Sequence, residues 1–280
     1  MSATRIRLVT RGDDAGSSGN ANRALVEACA RGILRNVSIM VPGPAFDGAV
    51  ELFAGQTDVC LGLHVTLNAE WVWPRWGPVL PPERVPSLVD DGGAFFPSPD
   101  ALNERGVYAE HVRQMVAEAQ AQLDLARSRG LAISYLDEHM GVGRLPGLRD
   151  ALARLAEREG LVDGEVIPAL PRVATQVHGP PDGWLLSLAA AAPGAYVLIT
   201  HPGYDDDELR GFHNGDYRPG MVARDRDRER RALLDPRMRA ICESADIACV
   251  RYTDVLTGGT RDRKARETRV VPDPDPMTSA

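Results

Sequence analysis

The chain has no excess of basic residues and no long hydrophobic segment. It contains 32 Lys and Arg against 39 Asp and Glu, which gives a formal net charge of −7. Nucleic acids and anionic membranes bind basic protein faces, so this balance argues against both as partners. No apolar run approaches the roughly 18 residues of a membrane span, and the N-terminus has no apolar core of signal-peptide length. We therefore predict a cytoplasmic protein that binds neither nucleic acid nor membrane.

Arginines are nevertheless concentrated in residues 224–231, where they alternate with Asp and Glu. Alternating charge on a helix is typical of a solvated, salt-bridged face. We interpret this stretch as such a surface and not as a phosphate-binding patch.

Cysteine is also scarce, with four residues in the chain and no Cys-x-x-Cys pair. Cys29, Cys60, Cys242 and Cys249 each lie in an apolar helix or strand pattern. Scattered cysteines without metal or disulfide spacing indicate buried thiols. This interpretation is consistent with a reducing cytoplasm.

The chain does contain a regular alternation of strand and helix patterns. A 280-residue chain with 44% hydrophobic residues can bury the core of one barrel-sized domain. Repeated strand–helix units predict a parallel sheet, and seven of them predict an α/β fold, a distorted TIM-like barrel that is irregular or not fully closed. We assign this single domain to residues 1–257. The predicted strands cover residues 6–10, 37–41, 59–66, 132–137, 162–168, 196–200 and 247–251.

Two stretches fall outside this alternation. Aromatic residues make up only 5% of the chain, yet three of its four tryptophans, Trp71, Trp73 and Trp76, lie in residues 68–106. A long irregular insertion after the third strand is expected to cover the active face as a lid or substrate wall. Its tryptophans could stack on sugar rings or form a small satellite core. The polar, Pro-rich residues 258–280 are predicted to be a disordered tail.

Acidic residues follow the first predicted strand. Asp13 and Asp14 come after the apolar run 6–10, between Gly12 and Gly16. Adjacent residues at a strand end point in different directions, so one carboxylate can bind a metal while the other acts as a general base. The carboxyl ends of parallel strands converge on one face, where α/β proteins carry out their chemistry.

Further Asp and His residues follow three other strands. His64 lies in the third strand, Asp137 and His139 close the fourth, and His201 closes the sixth. Two histidines and an aspartate on one face make a metal site with open positions for water and substrate. Asp137 could orient a histidine ligand, and His201 suits an acid that protonates a leaving amine. The pattern predicts a metal-dependent hydrolase.

At these positions the chain resembles the YdjC-like carbohydrate deacetylases, a family that includes chitooligosaccharide deacetylases and hopanoid-biosynthesis deacetylases. Four segments carry the resemblance, and it extends over about residues 6–256. They are residues 11–16 (Arg-Gly-Asp-Asp-Ala-Gly), 62–67 (Gly-Leu-His-Val-Thr-Leu), 137–139 (Asp-Glu-His) and 201–204 (His-Pro-Gly-Tyr).

The resemblance implies a distorted (β/α) barrel that removes an N-acetyl group from a saccharide, with magnesium or zinc as the cofactor. Asp14, His64 and His139 would bind the metal. Asp13 would be the catalytic base, and His201 would assist near the base or the leaving group. The residues expected to bind substrate or to surround the ligands are Asp137, Arg11, Tyr204 and Trp71.

The chain departs from the family pattern at two of the four segments. Residues 11–16 stand where the family usually has Asn-Ala-Asp-Asp-Phe-Gly. Residues 140–143 (Met-Gly-Val-Gly) stand where the family's third motif usually continues with further histidines. The departures leave the expected metal ligands in place and change the polar wall around them, which bears on the substrate more than on the hydrolytic chemistry.

Two alternatives to an amide hydrolase remain open. A metal-dependent hydrolase of an ester or phosphate bond would need positive charge near the metal, which Arg11 and Arg144 could supply. A saccharide-binding relative without efficient catalysis would be consistent with the missing histidines. In every case the expected partner is a small saccharide or related molecule, and a homodimer is possible.

Overall fold

A curled parallel sheet forms the centre of the molecule. The computed structural model describes residues 5–172, 179–244 and 246–255, and in these ranges the sheet has seven strands. Their order is β5-β4-β3-β2-β1-β6, with β7 also paired to β1. The strands are β1 (Ile6–Ala15), β2 (Asn36–Ile39), β3 (Cys60–Val65), β4 (Ile133–Glu138), β5 (Val162–Asp163), β6 (Gly194–Thr200) and β7 (Ile247–Val250). The predicted α/β class and distorted TIM-like barrel are confirmed.

Strand β1 pairs with three other strands of the sheet. Its first half, residues 6–9, pairs with β7, while Arg11, Gly12 and Ala15 pair with β2. Residues 6–12 pair with β6 on the opposite side. The strand continues five residues past the predicted end at residue 10, so Asp13 and Asp14 belong to the strand itself. The pairs with β6 end at Gly12, and beyond that point β2 is the neighbour that pairs with β1, at Ala15.

The fifth strand is much shorter than the predicted 162–168. It ends after Asp163, whose side chain accepts a hydrogen bond from the Glu165 backbone N–H and starts a 3₁₀ turn over Gly164–Val166. The chain then runs extended toward β6, where the Leu170 N–H donates to the carbonyl of Val197 at 2.8 Å. The segment that follows β5 therefore contacts β6 at the opposite edge of the sheet through an isolated bridge.

Helices cover the outside of the curled sheet. They are α1 (Gly19–Arg31), α2 (Phe46–Phe53), α3 (Pro99–Glu104), α4 (Ala109–Ser128), α5 (Leu148–Arg158), α6 (Asp182–Ala190), α7 (Asp207–Arg210), α8 (Met221–Leu233) and α9 (Pro236–Cys242). Helix α5 begins directly after Gly147, which adopts a left-handed conformation at the N-cap. Within the described ranges, no helix is both long and apolar enough to cross a membrane.

The insertion after β3 is packed onto the barrel. Val85, Leu88 and Phe95 are fully buried in it and belong to the same hydrophobic core as the sheet and helices. The buried Glu118 of α4 accepts hydrogen bonds from the backbone N–H groups of Val79 (2.8 Å) and Leu80 (3.0 Å). The segment has a 3₁₀ turn over Pro82–Arg84 and helix α3, and little other regular structure.

Two of the cysteines are not free thiols. A disulfide joins Cys242, the last residue of α9, to Cys249 in β7, with their Cα atoms 5.5 Å apart. The prediction of four buried thiols is therefore wrong for this pair, because the short connection from α9 to β7 turns the chain back on itself. Cys29 and Cys60 remain free. The predicted tail, residues 258–280, lies outside the described residues.

Candidate metal centre

Three predicted ligands meet at the carboxyl ends of their strands. The Oδ1 atom of Asp14 lies 3.5 Å from His64 Nε2 and 3.5 Å from His139 Nδ1, and these two nitrogens are 3.2 Å apart. All three residues are at most 4% exposed. Asp14 Oδ1 is fully buried and has no hydrogen-bond partner. An unpartnered carboxylate oxygen facing two imidazole nitrogens is a donor set that suits a divalent cation with remaining open positions.

Local backbone structure brings these three side chains together. His64 in β3 pairs directly with Asp137 in β4, and His139, two residues after Asp137, directly follows the end of that strand. Asp14 has a φ of 67°, in the left-handed region, and the register of β1 against β2 shifts between Gly12 and Ala15. Asp is one of the few residues that tolerates this conformation, and the irregularity turns its carboxylate toward the histidines.

A second group of possible metal ligands consists of Asp13, His64 and Asp137. Its two carboxylates are already paired with the positive charge of Arg11. The guanidinium of Arg11 donates two hydrogen bonds to Asp13, at 2.7 and 2.9 Å, and lies 2.9 Å from Asp137 Oδ2. Arg11 is almost completely buried, so these carboxylates compensate its charge. Of the two candidate ligand groups among the described residues, the one formed by Asp14, His64 and His139 is therefore the better metal position.

Each histidine is oriented by a carboxylate on its other ring nitrogen. His64 Nδ1 lies 2.9 Å from Asp137 Oδ1, and Asp137 also accepts a 2.6 Å hydrogen bond from the Ser38 hydroxyl. His139 Nε2 lies 2.9 Å from Glu70 Oε2. Glu70 was not among the predicted site residues, because it lies in the irregular insertion without a periodic pattern or a strand end to mark it. Carboxylate–histidine pairs of this kind surround many metal sites.

The surrounding charges shift the pKa values of the ligands. Burial alone would lower the pKa of His64, but the carboxylates of Asp137, Asp13 and Asp14 together outweigh it and hold the pKa well above its usual range. The same competition, with Glu70 as the main carboxylate, raises the pKa of His139 to about 9. Burial would raise the pKa of Asp14, yet the Arg226 guanidinium and the neighbouring histidines together keep it well below its usual range. The surrounding charges thus favour a negative Asp14 beside two positively charged imidazoles.

Asp13 and His201 lie beside the metal position. Gly12 of β1 pairs with Thr200 of β6, so the residues that follow them are neighbours, and His201 Nε2 lies 3.9 Å from Asp13 Oδ2. The His201 side chain is 41% exposed, whereas Asp13 is buried. On the far side of the ring, Glu229 Oε2 accepts a 2.6 Å hydrogen bond from the His201 backbone N–H and lies 3.9 Å from Nδ1.

Arg226 is a second site residue that the sequence reasoning missed. It is 9% exposed and donates a 2.7 Å hydrogen bond from Nη2 to Asp14 Oδ2. Residues 224–231 were interpreted as a solvated face, and for Arg226 that interpretation is wrong. Its spacing from Val222 and Ala223 places it on the buried face of α8, which was the available signal.

A cavity of about 660 Å³ opens above the metal position. Its lining includes Arg11, Asp13, the three ligands, Glu70, Trp71 and His201, and the half-exposed apolar side chains of Met140, Ile199 and Tyr217. Trp71 is 7% exposed, and its ring contacts the rings of Phe212 and Tyr217.

Tyr204 does not line this cavity. Its hydroxyl donates a 3.1 Å hydrogen bond to Glu27 of α1, and the Arg230 guanidinium lies 4.5 Å from its ring centroid. The motif residues that follow β6 therefore separate, with His201 directed to the cavity and Tyr204 directed to the helix layer.

Several known proteins are similar to this chain in sequence or in fold. The family described as "YdjC-like protein" matches residues 7–179. A carbohydrate deacetylase of Thermoanaerobacter pseudethanolicus is 30% identical over 217 residues, covering 72% of this chain and 83% of that protein. One from Thermus thermophilus is 31% identical, covering 62% and 70%. A crystal structure of an Enterococcus faecalis V583 protein named for cellobiose-phosphate cleavage superposes with a TM-score of 0.69 at 21% identity, covering 91% of this chain and 99% of that one, and shares the fold. The chain belongs to the YdjC-like protein family.

Proposed function

We propose that the protein is a divalent-metal-dependent hydrolase that removes the acetyl group from an N-acetylated amino sugar or saccharide. The observation that carries the proposal is the buried, unpartnered Oδ1 of Asp14 facing two histidine nitrogens at the floor of a large cavity. Relatives named carbohydrate deacetylase supply the substrate class. Asp14, His64 and His139 would hold Mg²⁺ or Zn²⁺, and the bound cation would supply Lewis acidity toward water and the acetyl carbonyl.

The reaction breaks the amide C–N bond and needs two proton transfers. Asp13 accepts the proton of the attacking water, and Arg11 fixes the plane of its carboxylate through two hydrogen bonds. His201, half exposed in the cavity, donates a proton to the departing nitrogen, so that acetate and a free amine result. Glu229 holds the backbone of His201 and lies behind its Nδ1, which directs Nε2 toward Asp13.

The cavity suits a saccharide. A volume of about 660 Å³ lies within the usual range for small-molecule sites, and the lining combines a polar floor with apolar side chains at the mouth. The apolar C–H faces of sugar rings pack on such surfaces, and Trp71 and Tyr217 offer aromatic rings. Arg11 belongs to the polar floor, and the fully buried Asp137 lies behind it, in contact with Arg11 and His64. Tyr204 would act on this site indirectly, through its contacts with the helix layer.

Phosphate-ester hydrolysis is supported less well. Arg11, one of two arginines expected to supply positive charge, is already engaged by Asp13 and Asp137. The other, Arg144, donates to the Met140 carbonyl and lies 3.0 Å from Asp100. Neither guanidinium is free to bind a phosphate without breaking these contacts.

The proposed catalytic unit is the whole barrel, residues 1–257. Its site draws on residues from Arg11 to Glu229, and β7 pairs with the first residues of β1. A fragment that ended at the last residue of the family match, residue 179, would lack His201, Arg226 and both outer neighbours of β1.

The test is acetate release from a panel of N-acetylated mono- and oligosaccharides. Metal-stripped protein is compared with protein resupplied with Mg²⁺ or Zn²⁺, and Asp13→Asn serves as the matched variant. We expect metal-dependent release that the substitution lowers by at least 10²-fold while metal binding persists. Turnover of phosphate or ester substrates alone, saccharide binding without hydrolysis, or near-normal turnover by the variant would contradict the proposal.

A further inference from the structure

We infer that Glu70 is a positioning residue that fixes the ring of His139 so that its Nδ1 atom faces the cation. The inference rests on the proposed metal site and extends it to the insertion after β3. Glu70 Oε2 lies 2.9 Å from His139 Nε2, and both side chains are less than a tenth exposed. The carboxylate accepts the Nε2 hydrogen, which leaves Nδ1 as the free electron pair.

The two histidine ligands use opposite ring nitrogens. His64 presents Nε2 to the metal position and gives Nδ1 to Asp137, whereas His139 presents Nδ1 and gives Nε2 to Glu70. A neutral imidazole has a hydrogen on only one of its two ring nitrogens, so each ring needs a partner that selects the correct tautomer. Glu70 performs for His139 the selection that Asp137 performs for His64.

The backbone of Glu70 is held from the neighbouring segment of the barrel. The side-chain amide of Asn214 donates to the Glu70 carbonyl at 3.2 Å, and the Val72 N–H donates to the His213 carbonyl at 2.9 Å. The next side chain, Trp71, packs against Phe212. Glu70 therefore reaches His139 from a fixed position.

The rest of the insertion supports the same geometry. The indole N–H of Trp76 donates to the Asn68 carbonyl at 2.8 Å, and its ring lies edge-on to His139 with the centroids 6.4 Å apart. Glu118 of α4 holds the following residues through the N–H groups of Val79 and Leu80. The insertion is thus part of the metal centre as well as a wall of the cavity.

The experiment measures affinity for Mg²⁺ and Zn²⁺ by calorimetry, at one pH, for wild type, Glu70→Gln and Glu70→Leu. Glu83→Gln, an exposed position in the same insertion, is the matched control. Gln keeps an oxygen that can accept the Nε2 hydrogen, and Leu does not. We expect a 10- to 100-fold loss of affinity for Leu, a smaller loss for Gln and none for the control. The melting temperature of each metal-free variant is recorded in parallel.

Each outcome decides the inference. A graded loss of affinity, with metal-free melting temperatures that do not fall in the same order, supports positioning of His139. Wild-type affinity in Glu70→Leu overturns the inference and leaves the metal site standing. Losses of affinity that follow the losses of metal-free stability assign Glu70 a structural role and also overturn it. If wild type binds neither cation, the metal site of the proposed function fails, and the role of Glu70 fails with it.

Discussion

At the scale of single residues, the site concentrates unusual backbone conformations. Among the described residues, Asp14 and Met140 are the non-glycine residues with positive φ, at 67° and 50°. One is a proposed ligand, and the other follows the ligand His139 directly. Left-handed conformations cost L-residues about 1–2 kcal/mol, and such strain is often found at functional sites. At Asp14 the left-handed conformation coincides with the irregular register of β1, and at Met140 it marks the point where the chain turns away from the end of β4.

Met140 provides a test of that strain. Asn adopts the left-handed region more readily than Ala or Met, so the free energy of unfolding of Met140→Asn is expected to exceed that of Met140→Ala by about 0.5–1 kcal/mol. Both variants lose the partly buried Met140 side chain, which is 42% exposed, and the 2.9 Å hydrogen bond that its Sδ accepts from the Asn68 side-chain amide. Chemical denaturation measures the change, with Met140→Ala as the comparison. A variant with Asn that is no more stable than the variant with Ala would contradict the explanation.

The pKa of His139 predicts how metal binding depends on pH. A cation requires the neutral imidazole, and the raised pKa of about 9 means that the ring carries a proton at neutral pH before the cation binds. We expect affinity to increase between about pH 6 and 8, with proton release. Calorimetry in two buffers of different ionisation enthalpy measures both. Affinity that does not change with pH in this range would contradict the expectation.

The same ring has the opposite effect on the metal-free fold. Because its folded pKa is raised above the usual value, the protonated ring stabilises the native state fully below about pH 6.5, and this contribution is lost as the pH rises through about 9. Metal binding and metal-free stability are therefore expected to move in opposite directions between these values.

At the scale of elements, buried residues of β3 and β4 contact the proposed metal ligands from inside the barrel. A Cβ atom at Gly62 of β3 would lie 2.2 Å from the ring of Tyr135. The Tyr135 hydroxyl lies 2.9 Å from the Ser38 hydroxyl, which donates to Asp137, the partner of His64. The absence of a side chain at residue 62 is what allows this chain of contacts.

Gly62→Ala is therefore expected to act on both stability and metal binding. The ring of Tyr135 is fully buried and must shift, which costs about 1–3 kcal/mol as overpacking does in other cores. The displaced ring disturbs Ser38 and Asp137, so metal affinity falls as well. Thermal melting and calorimetry measure the two effects. The matched control is Gly55→Ala, where nothing lies within 4 Å of the new Cβ, although its positive φ makes some loss of stability expected there too. A well-folded Gly62→Ala variant with full affinity would refute this account.

The elements also show what the sequence could predict. Asp13, Asp14, His64, His139 and His201 were located because each ends a strand-like run, and the ends of parallel strands converge. Glu70 and Arg226 were not located. The position of Glu70 depends on the irregular path of the insertion, which long-range contacts with Asn214 and Glu118 determine. The length of β5 was overestimated because an Asp163 side chain, and not the apolar pattern, ends it.

At the scale of the whole molecule, the proposed metal centre connects elements that are distant in the chain. Asp14 lies in β1, His64 in β3 and His139 after β4, while Arg226 of α8 holds the second oxygen of Asp14. A cation bound here would link β1 to β3 and to the end of β4, which lie on opposite sides of β2 in the sheet. Binding to the native state alone stabilises it by about 2.7 kcal/mol when the cation is at 100 times its Kd.

This linkage predicts a thermal shift. For a chain of this size, about 2.7 kcal/mol raises the melting temperature by roughly 5 °C. Scanning calorimetry compares protein in a chelator with protein in Mg²⁺ or Zn²⁺. Asp14→Asn is the matched variant, because Asn keeps the left-handed backbone and removes the charge that the cation needs. We expect the variant to melt at the same temperature with and without the cation. A shift of equal size in the variant would place the cation elsewhere, since Asp14 is the β1 residue in the ligand group that contains both histidines.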